Sequence, residues 1–446
     1  MTARGTGTGR RRMTGIVVVS ALSAGLLAGC GSHSGSSADS TGPLKVWVRG
    51  SGDSLKAYDK IFAAFTAKTG IKVQPYMTLT DFETKLSASA SAHSLPDMVI
   101  DNASQLGDFE SQGIIQKVDA SSVPGLSALS PQALSSVKDP KGATYAIPFS
   151  AQANVLLVRK DWLAKLHLSP PKTWADVERV AKAFTRDDPD ADGKNDTYGI
   201  DVPGTTANGY ISWWWSSLLW QAGGDYVKSD GGGKYTATLD SPQAISAAQE
   251  FEKLACTDKV VQPGMLNDDT TAGNKAFQTG LTGMYLTGPY AFATMDASPV
   301  KGKYVAVAPP AGPGGSQTLA EGTSMYLMQG AKTDEAEKLA GFMITPTTQQ
   351  LGMTAVPTAT VVRLPVTPGL NAATAHSDDP RWGLAATVYQ KDGHYEYDSL
   401  PNWTALRQLT SDDLNGMIAQ CAPPAAAMKK LNSQFQAALA AQGVAG

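Results

Sequence analysis

Leu44-Lys45-Val46-Trp47-Val48-Arg49 alternates apolar and polar side chains as a half-buried strand does, and Leu55, Tyr58, Phe62 and Phe65 follow at spacings of three and four, closed by Gly70. The pair reads as strand, then helix. Downstream come strand-like Ile71-Lys72-Val73-Gln74, a helical stretch from Phe82 to Ala90, a short apolar strand Met98-Val99-Ile100, and a helix from Ser104 to Gln112 stopped by Gly113. This alternation predicts an α/β fold with a mostly parallel sheet. Beyond Pro148 the pattern becomes helix-rich, with helices expected over Lys160 to Leu166, Trp174 to Phe184, Ile211 to Gln221 and Pro242 to Leu254. Short strands around Gly283 to Leu286 and Tyr304 to Ala308 interrupt it, and Thr333 to Phe342 and Leu409 to Ala440 read as helix again.

Upstream of the first strand the chain differs in kind. Arg4, Arg10, Arg11 and Arg12 precede an apolar run from Ile16 to Gly29, whose 14 residues fall short of the ~20 that cross a bilayer. Residues 1–29 are therefore expected to be a signal peptide. Its end, Leu27-Ala28-Gly29-Cys30, resembles the lipobox of bacterial lipoproteins, which implies acylation of Cys30 and a lipid anchor in the cell membrane. Arg11-Arg12 leaves both general and twin-arginine export open. Together with Cys30, the Gly/Ser-rich stretch to Gly42 makes residues 30–42 a flexible tether, and no later apolar run approaches spanning length, so the body is expected to be extracytoplasmic.

Composition narrows the function. With 37 basic against 40 acidic residues and no basic cluster beyond residue 12, the chain lacks the electrostatic footprint of a nucleic-acid binder. Loss of the four leader arginines takes the formal charge from -3 to -7, a field that offers anionic ligands nothing. No GxSxG elbow, HExxH helix or P-loop occurs, the five histidines are dispersed, and acidic pairs such as Asp412-Asp413 or Asp378-Asp379 read as solvated loop charges. The enzyme templates fail in turn, and no catalytic residue is expected.

Several segments in order, Leu95-Pro96-Asp97-Met98-Val99, Gly113-Ile114-Ile115, Tyr145-Ala146-Ile147-Pro148-Phe149, Val158-Arg159-Lys160-Asp161-Trp162-Leu163, Pro171-Lys172-Thr173-Trp174, Gly223-Gly224, Gly283-Met284-Tyr285-Leu286-Thr287-Gly288-Pro289-Tyr290 and Asp379-Pro380-Arg381, resemble the extracellular solute-binding proteins of bacterial ABC importers. The resemblance is to the family 1, carbohydrate-binding group that includes maltose-binding protein, and it covers most of the chain after the leader. It implies a two-lobed periplasmic-binding-protein-like fold with a hinge and an interlobe ligand cleft. Carried onto this chain, the first lobe is residues 43–150 plus 308–358 and the second 151–307 plus 359–446. It also implies a carbohydrate ligand, delivery to the permease subunits of an ABC transporter, and a monomer. An exported glycan hydrolase, or a binding protein for a non-sugar solute, remain the alternatives.

A sugar site needs planar polar side chains beside aromatic faces. Helical spacing puts Trp214, Trp215, Leu218 and Leu219 on the core side of one helix and Trp213 and Trp220 with Ser216 and Ser217 on the other. The resemblance implies an aromatic ligand contact at Trp213, a stacking platform at Tyr290 where the family usually carries Trp, and a polar contact at Gln152 in the first crossover. Arg49 and Asp53 flank the turn after the first strand, and Asp101 ends the third, where strand C-termini face the crevice of an α/β sheet. Glu321 and Trp403 complete the candidate ligand set.

Asp188-Pro189-Asp190-Ala191-Asp192-Gly193-Lys194-Asn195-Asp196 satisfies the first half of an EF-hand-type calcium loop, with Asp188, Asp190, Asp192, Lys194 and Asp196 at the ligand positions and Gly199 where the bidentate glutamate belongs. The loop reads either as a site for a structural Ca2+ or as a bare polar turn, and no other cofactor is expected. Cys256 and Cys421 remain once Cys30 is acylated, and an even count in an oxidising space makes a disulfide between them the natural expectation, against two separately buried thiols.

Overall fold

The computed structural model describes residues 42–446 apart from 51, 80, 358 and 398, so the leader and Cys30 lie outside it. β1 (Leu44–Arg49) is flanked by β2 (Val73–Thr78) and β3 (Met98–Asn102), both parallel to it. The first helix, Gly52–Thr69, buries Tyr58, Ile61, Phe62 and Phe65, the apolar face set by their spacing. β4 (Ile147–Ala153) is buried along its whole length and passes through Asn154 straight into β5 (Val155–Arg159), which belongs to a second sheet.

The second sheet takes β6 (Tyr198–Asp201), parallel to β9 (Thr282–Thr287), while β5 lies antiparallel between β9 and β10 (Tyr304–Val307). A separate hairpin joins β7 (Val227–Gly231) to β8 (Lys234–Ala237). The chain then returns to the larger sheet as β11 (Thr318–Leu327), antiparallel to both β3 and β4. Two short strands, β12 (Leu364–Pro365) on β4 and β13 (Gly393–Tyr395) on β11, complete it. Among the described residues the sheets hold seven, four and two strands.

Each larger sheet organises a core. Val46, Val48, Ile61, Phe65, Ile100 and Leu327 belong to the first; Val158, Phe184, Trp215, Phe251, Trp403 and Phe435 belong to the second. Because side chains alternate along a strand, β5 serves both: Leu156 and Val158 enter the second core, Val155 and Leu157 the first.

The C-terminal helices Trp403–Gln420 and Pro424–Ala441 pack on the second core. They are divided at Cys421, whose backbone is left-handed (φ 45°), followed by Pro423-Pro424. Cys421 is bonded to Cys256 at the end of the helical segment Lys253–Thr257, with Cα atoms 5.8 Å apart and 165 residues between them in sequence. Closing so long a loop restricts the unfolded chain strongly in the chain-entropy account. The paired Cys256→Ser/Cys421→Ser protein is expected to lose about 2–5 kcal/mol in denaturant titration. Thiol titration of denatured, unreduced protein lacking Cys30 should find no reactive thiol; two per chain would contradict the bond.

Candidate functional site

Because β1 and β3 are parallel, their C-terminal ends emerge on the same side and bring Arg49 to Asp101. Arg49 Nε donates to Glu83 Oε1 at 2.8 Å and stands 3.8 Å from Asp101 Oδ1. Asp101 is buried; Oδ1 accepts the Asn102 N–H at 2.6 Å, and Oδ2 has no partner. Burial pushes its pKa to about 7, with Arg49 pulling the other way. Asp53 is placed elsewhere: it is exposed in the first turn of the following helix and pairs with Lys56 at 3.2 Å, the ordinary arrangement of an acid at a helix N-terminus.

A second group forms where the chain crosses between the sheets. Gln152 on β4 lies directly opposite Glu321 on β11, and its Nε2 donates to Glu321 Oε2 at 2.7 Å while its Oε1 is buried without a partner. Burial raises the Glu321 pKa, and the Gln152 hydrogen bond opposes that. Tyr290 approaches from beyond Gly288, where a Cβ would meet the tyrosine ring at 2.5 Å and Gln152 Oε1 at 3.3 Å, so glycine permits the contact. Thr287 Oγ1 donates to the Tyr290 hydroxyl at 2.9 Å. Beside Glu321, a cavity of about 10 Å³, room for a single water, is lined by Asn102, Ser104 and Glu396 among others.

The helix Tyr210–Gln221 carries the third group. It is buried on nearly every side: Trp214, Trp215, Ser216, Ser217 and Trp220 are all interior, so the polar face expected for Trp220 and the two serines is instead a packed one. Trp213 is half-buried, with the Tyr210 ring edge-on at 5.4 Å and the Arg407 guanidinium 4.6 Å over its face. Tyr210 lies within electrostatic reach of Arg49 on one side and Tyr285 on the other.

Arg407 is fixed in turn by Glu396, whose Oε2 accepts from Arg407 Nη2 at 2.8 Å, Arg407 Nε at 3.1 Å and Trp403 Nε1 at 2.9 Å. Ser216 Oγ donates to the other carboxylate oxygen at 3.0 Å. Trp403 is thus fully buried with its indole N–H committed, a core residue where a ligand contact was expected. Gly209, at φ 78°, lies against the arginine, and a Cβ there would fall 2.3 Å from Arg407 Cδ. Asp108, from the helix Leu106–Ser111, accepts from the backbone N–H of Thr404 at 3.3 Å and from its hydroxyl. It thereby caps the helix Trp403–Gln420, whose own N-cap Asn402 makes no side-chain bond.

Glu396, Arg407, Asp108 and Thr404 carry no sequence signal, since each meets partners from distant chain positions. The acidic loop lies apart, preceding β6 at the opposite end from the strand's Asp201. Carboxylate oxygens of Asp188, Asp190 and Asp192 come within 4.8 Å of one another, Lys194 pairs with Asp192 at 2.8 Å, and Asp196 is exposed. A Cβ at Gly199 would lie 2.4 Å from the Ala181 backbone, which is why the glutamate of a full calcium loop has no place there.

The family model for bacterial extracellular solute-binding proteins matches residues 50–350. The polygalacturonan/rhamnogalacturonan-binding protein YtcQ of Bacillus subtilis is 30% identical over 219 residues, 46% of this chain and 41% of that one. The match therefore spans about two fifths of that relative. Among solved structures, the GacH receptor of Streptomyces glaucescens, described unliganded and with acarbose, superposes with a TM-score of 0.76 at 18% identity, covering 88% of this chain and 97% of that one. UgpB of Mycobacterium tuberculosis, solved with glycerophosphocholine, gives 0.77 at 17% identity, covering 90% and 99%. At such identities the likeness shows the fold, that of two-lobed periplasmic binding proteins.

Near this region Asp201 ends β6 opposite Tyr285 and is fully buried, with neither carboxylate oxygen hydrogen-bonded. Burial first, and the charge of Asp268 second, push its pKa from 3.8 to about 8. The folded chain keeps a proton that the unfolded chain gives up, so stability falls as pH rises from about 4 to 8. Asp201→Asn, which imitates the protonated form, is expected to raise Tm at about pH 9 by roughly 2–4 °C and to change it little near pH 4. Parallel Tm-against-pH curves for the two proteins would contradict this.

Proposed function

The chain belongs to the bacterial extracellular solute-binding proteins, and on that premise we propose that it captures a sugar or oligosaccharide between its two lobes and delivers it to an ABC transporter. What supports the ligand class is the Gln152–Glu321 pair at the strand crossing with the Tyr290 ring beside it, together with the half-buried Trp213 and the Arg49–Asp101 strand ends. Hydroxyls suit the amide and carboxylates, and the aromatic faces suit sugar C–H surfaces. Closure about the crossing segments, as in periplasmic binding proteins generally, supplies the state an importer reads.

We propose the lobes as residues 43–150 with 308–358 and residues 151–307 with 359–446, the short strands β12 and β13 reaching back into the first sheet. Cys30 is proposed as a lipid anchor and residues 31–42 as its tether. Among the described residues no helix is long and apolar enough to cross a membrane. Asp188, Asp190 and Asp192, with Lys194 and Asp196 beside them, are proposed to hold a structural calcium ion that relieves the crowding of their carboxylates.

Calorimetry against neutral and acidic oligosaccharides is expected to give micromolar binding, about -8 kcal/mol, without product formation. Trp213→Ala and Tyr290→Ala should each weaken it by roughly 1–3 kcal/mol with the fold intact. Absence of binding across the panel would remove the ligand class, and product formation would make the protein a hydrolase. Calcium added to chelated protein should raise Tm, and Asp190→Ala should abolish the rise; equal Tm with and without calcium would leave the loop a plain turn.

A further inference from the structure

Arg363 stands out once the strand registers are laid side by side. β12 pairs Leu364 with Ala151 and Pro365 with Ser150, and the Arg363 backbone N–H donates to Ser150 Oγ at 2.9 Å. Arg363 immediately precedes β12, next to the Leu364–Ala151 pair, and Gln152 follows Ala151 and is itself opposite Glu321. A cation, an amide and a carboxylate thus lie together at this edge, with Arg363 acting electrostatically on Glu321.

The edge has spare hydrogen-bonding capacity. Arg363 has no carboxylate within ion-pairing distance among the described residues; its guanidinium lies 5.7 Å from the centre of the Tyr290 ring, Nη1 makes one long contact of 3.5 Å to Thr323 Oγ1, and Nε is buried without an acceptor. Among the described residues Gln152 Oε1 is buried without a donor, and Gln152 supplies the one side-chain hydrogen bond to Glu321. The neighbouring cations are committed elsewhere: Arg49 to Glu83 and Asp101, Arg407 to Glu396.

We propose that Arg363, Gln152 and Glu321 form the specificity-determining edge of the cleft, and that the edge selects neutral sugars with adjacent hydroxyls over acidic ones. The inference rests on the sugar-binding reading above and narrows it. A hydroxyl both donates and accepts, so one hydroxyl takes a hydrogen bond from Arg363, its neighbour gives one to Glu321, and Gln152 serves either. A uronate satisfies Arg363 but sets its own charge beside Glu321, and Arg407, the other arginine acting on Glu321, is already paired with Glu396.

The test is calorimetry of the full folded protein with maltotriose, cellotriose and trigalacturonate, alongside Tm. Wild type is expected to bind a neutral trisaccharide at least about tenfold more tightly than trigalacturonate. Arg363→Gln should weaken neutral binding by about tenfold or more at unchanged Tm, Arg363→Lys should give an intermediate loss because it keeps the charge but not the planar fork, and Glu321→Gln should narrow the gap to trigalacturonate. Neutral binding by Arg363→Gln as tight as wild type, or trigalacturonate binding as tight as the neutral sugars, overturns the inference while the sugar-binding reading stands. Binding of none of the three by wild type overturns both.

Discussion

One stretch, Ile147 to Arg159, buried except at Asn154, supplies a strand to each of two sheets, and the rest of the architecture follows from that sharing. Asn154 is the junction, and its N–H is tied to the Leu319 carbonyl at 3.0 Å, so the outgoing crossing is stitched to the returning one. A strand buried on both sides must satisfy its backbone through neighbours, and here those neighbours lie in separate sheets. Gln152 lies just before the junction; Glu321, two residues past Leu319, is its cross-strand partner. The pair is thus placed where the chain passes from one core to the other.

The buried pair Glu396–Arg407 shows a different economy. Both side chains are almost fully enclosed, at 2% and 3% exposure, and taking such charges out of water costs several kcal/mol each. The cost is offset because the carboxylate receives donors from Ser216, Trp403 and Arg407 together. Such a pair adds little net stability compared with apolar packing, yet removal of either partner leaves an unpaired buried charge. Its effect here is positional: Glu396 follows β13 of the first sheet, Arg407 lies on a helix of the second core, and the guanidinium seats Trp213. A crossing segment and a candidate ligand platform are thereby held by one ion pair.

Where one face of an element is buried, the sequence carried its signature. β1 and the helices at Trp174–Arg186 and Pro242–Glu252 lie within two residues of the expectation. β4 and β11 were not separately legible, because residues interior on both sides of a sheet show no alternation. The same cause put Trp220, Ser216 and Ser217 on the wrong face, since a helix buried all round has no polar stripe to read. Leu409 to Ala440 looked like one helical stretch, and the left-handed Cys421 before two prolines divides it. Among the candidate residues, Gln152 was reachable through the family resemblance and Glu321 stood beside it as an addition, whereas Arg363 and Asp108 matter through partners brought by topology, and Glu396 joins nearby Trp403 and Arg407 to distant Ser216. Asp108 and Thr404 lie 296 positions apart, a separation over which no periodicity speaks.

Net charge is a poor guide to what such a cleft accepts. An excess of acid spread over the surface acts through water and is screened beyond about 10 Å at 0.1 M salt. What counts locally is which cations are already paired. Arg49 is shared between two carboxylates and Arg407 is saturated by Glu396, while Arg363 has no carboxylate within ion-pairing distance among the described residues. Asp101 is the local record of that imbalance: although Arg49 is 3.8 Å away, burial outweighs the attraction and its pKa stands near 7. Desolvation falls hardest on charged forms, so a buried carboxylate whose arginine is shared with a second acid moves toward its neutral form, whatever the net charge of the chain.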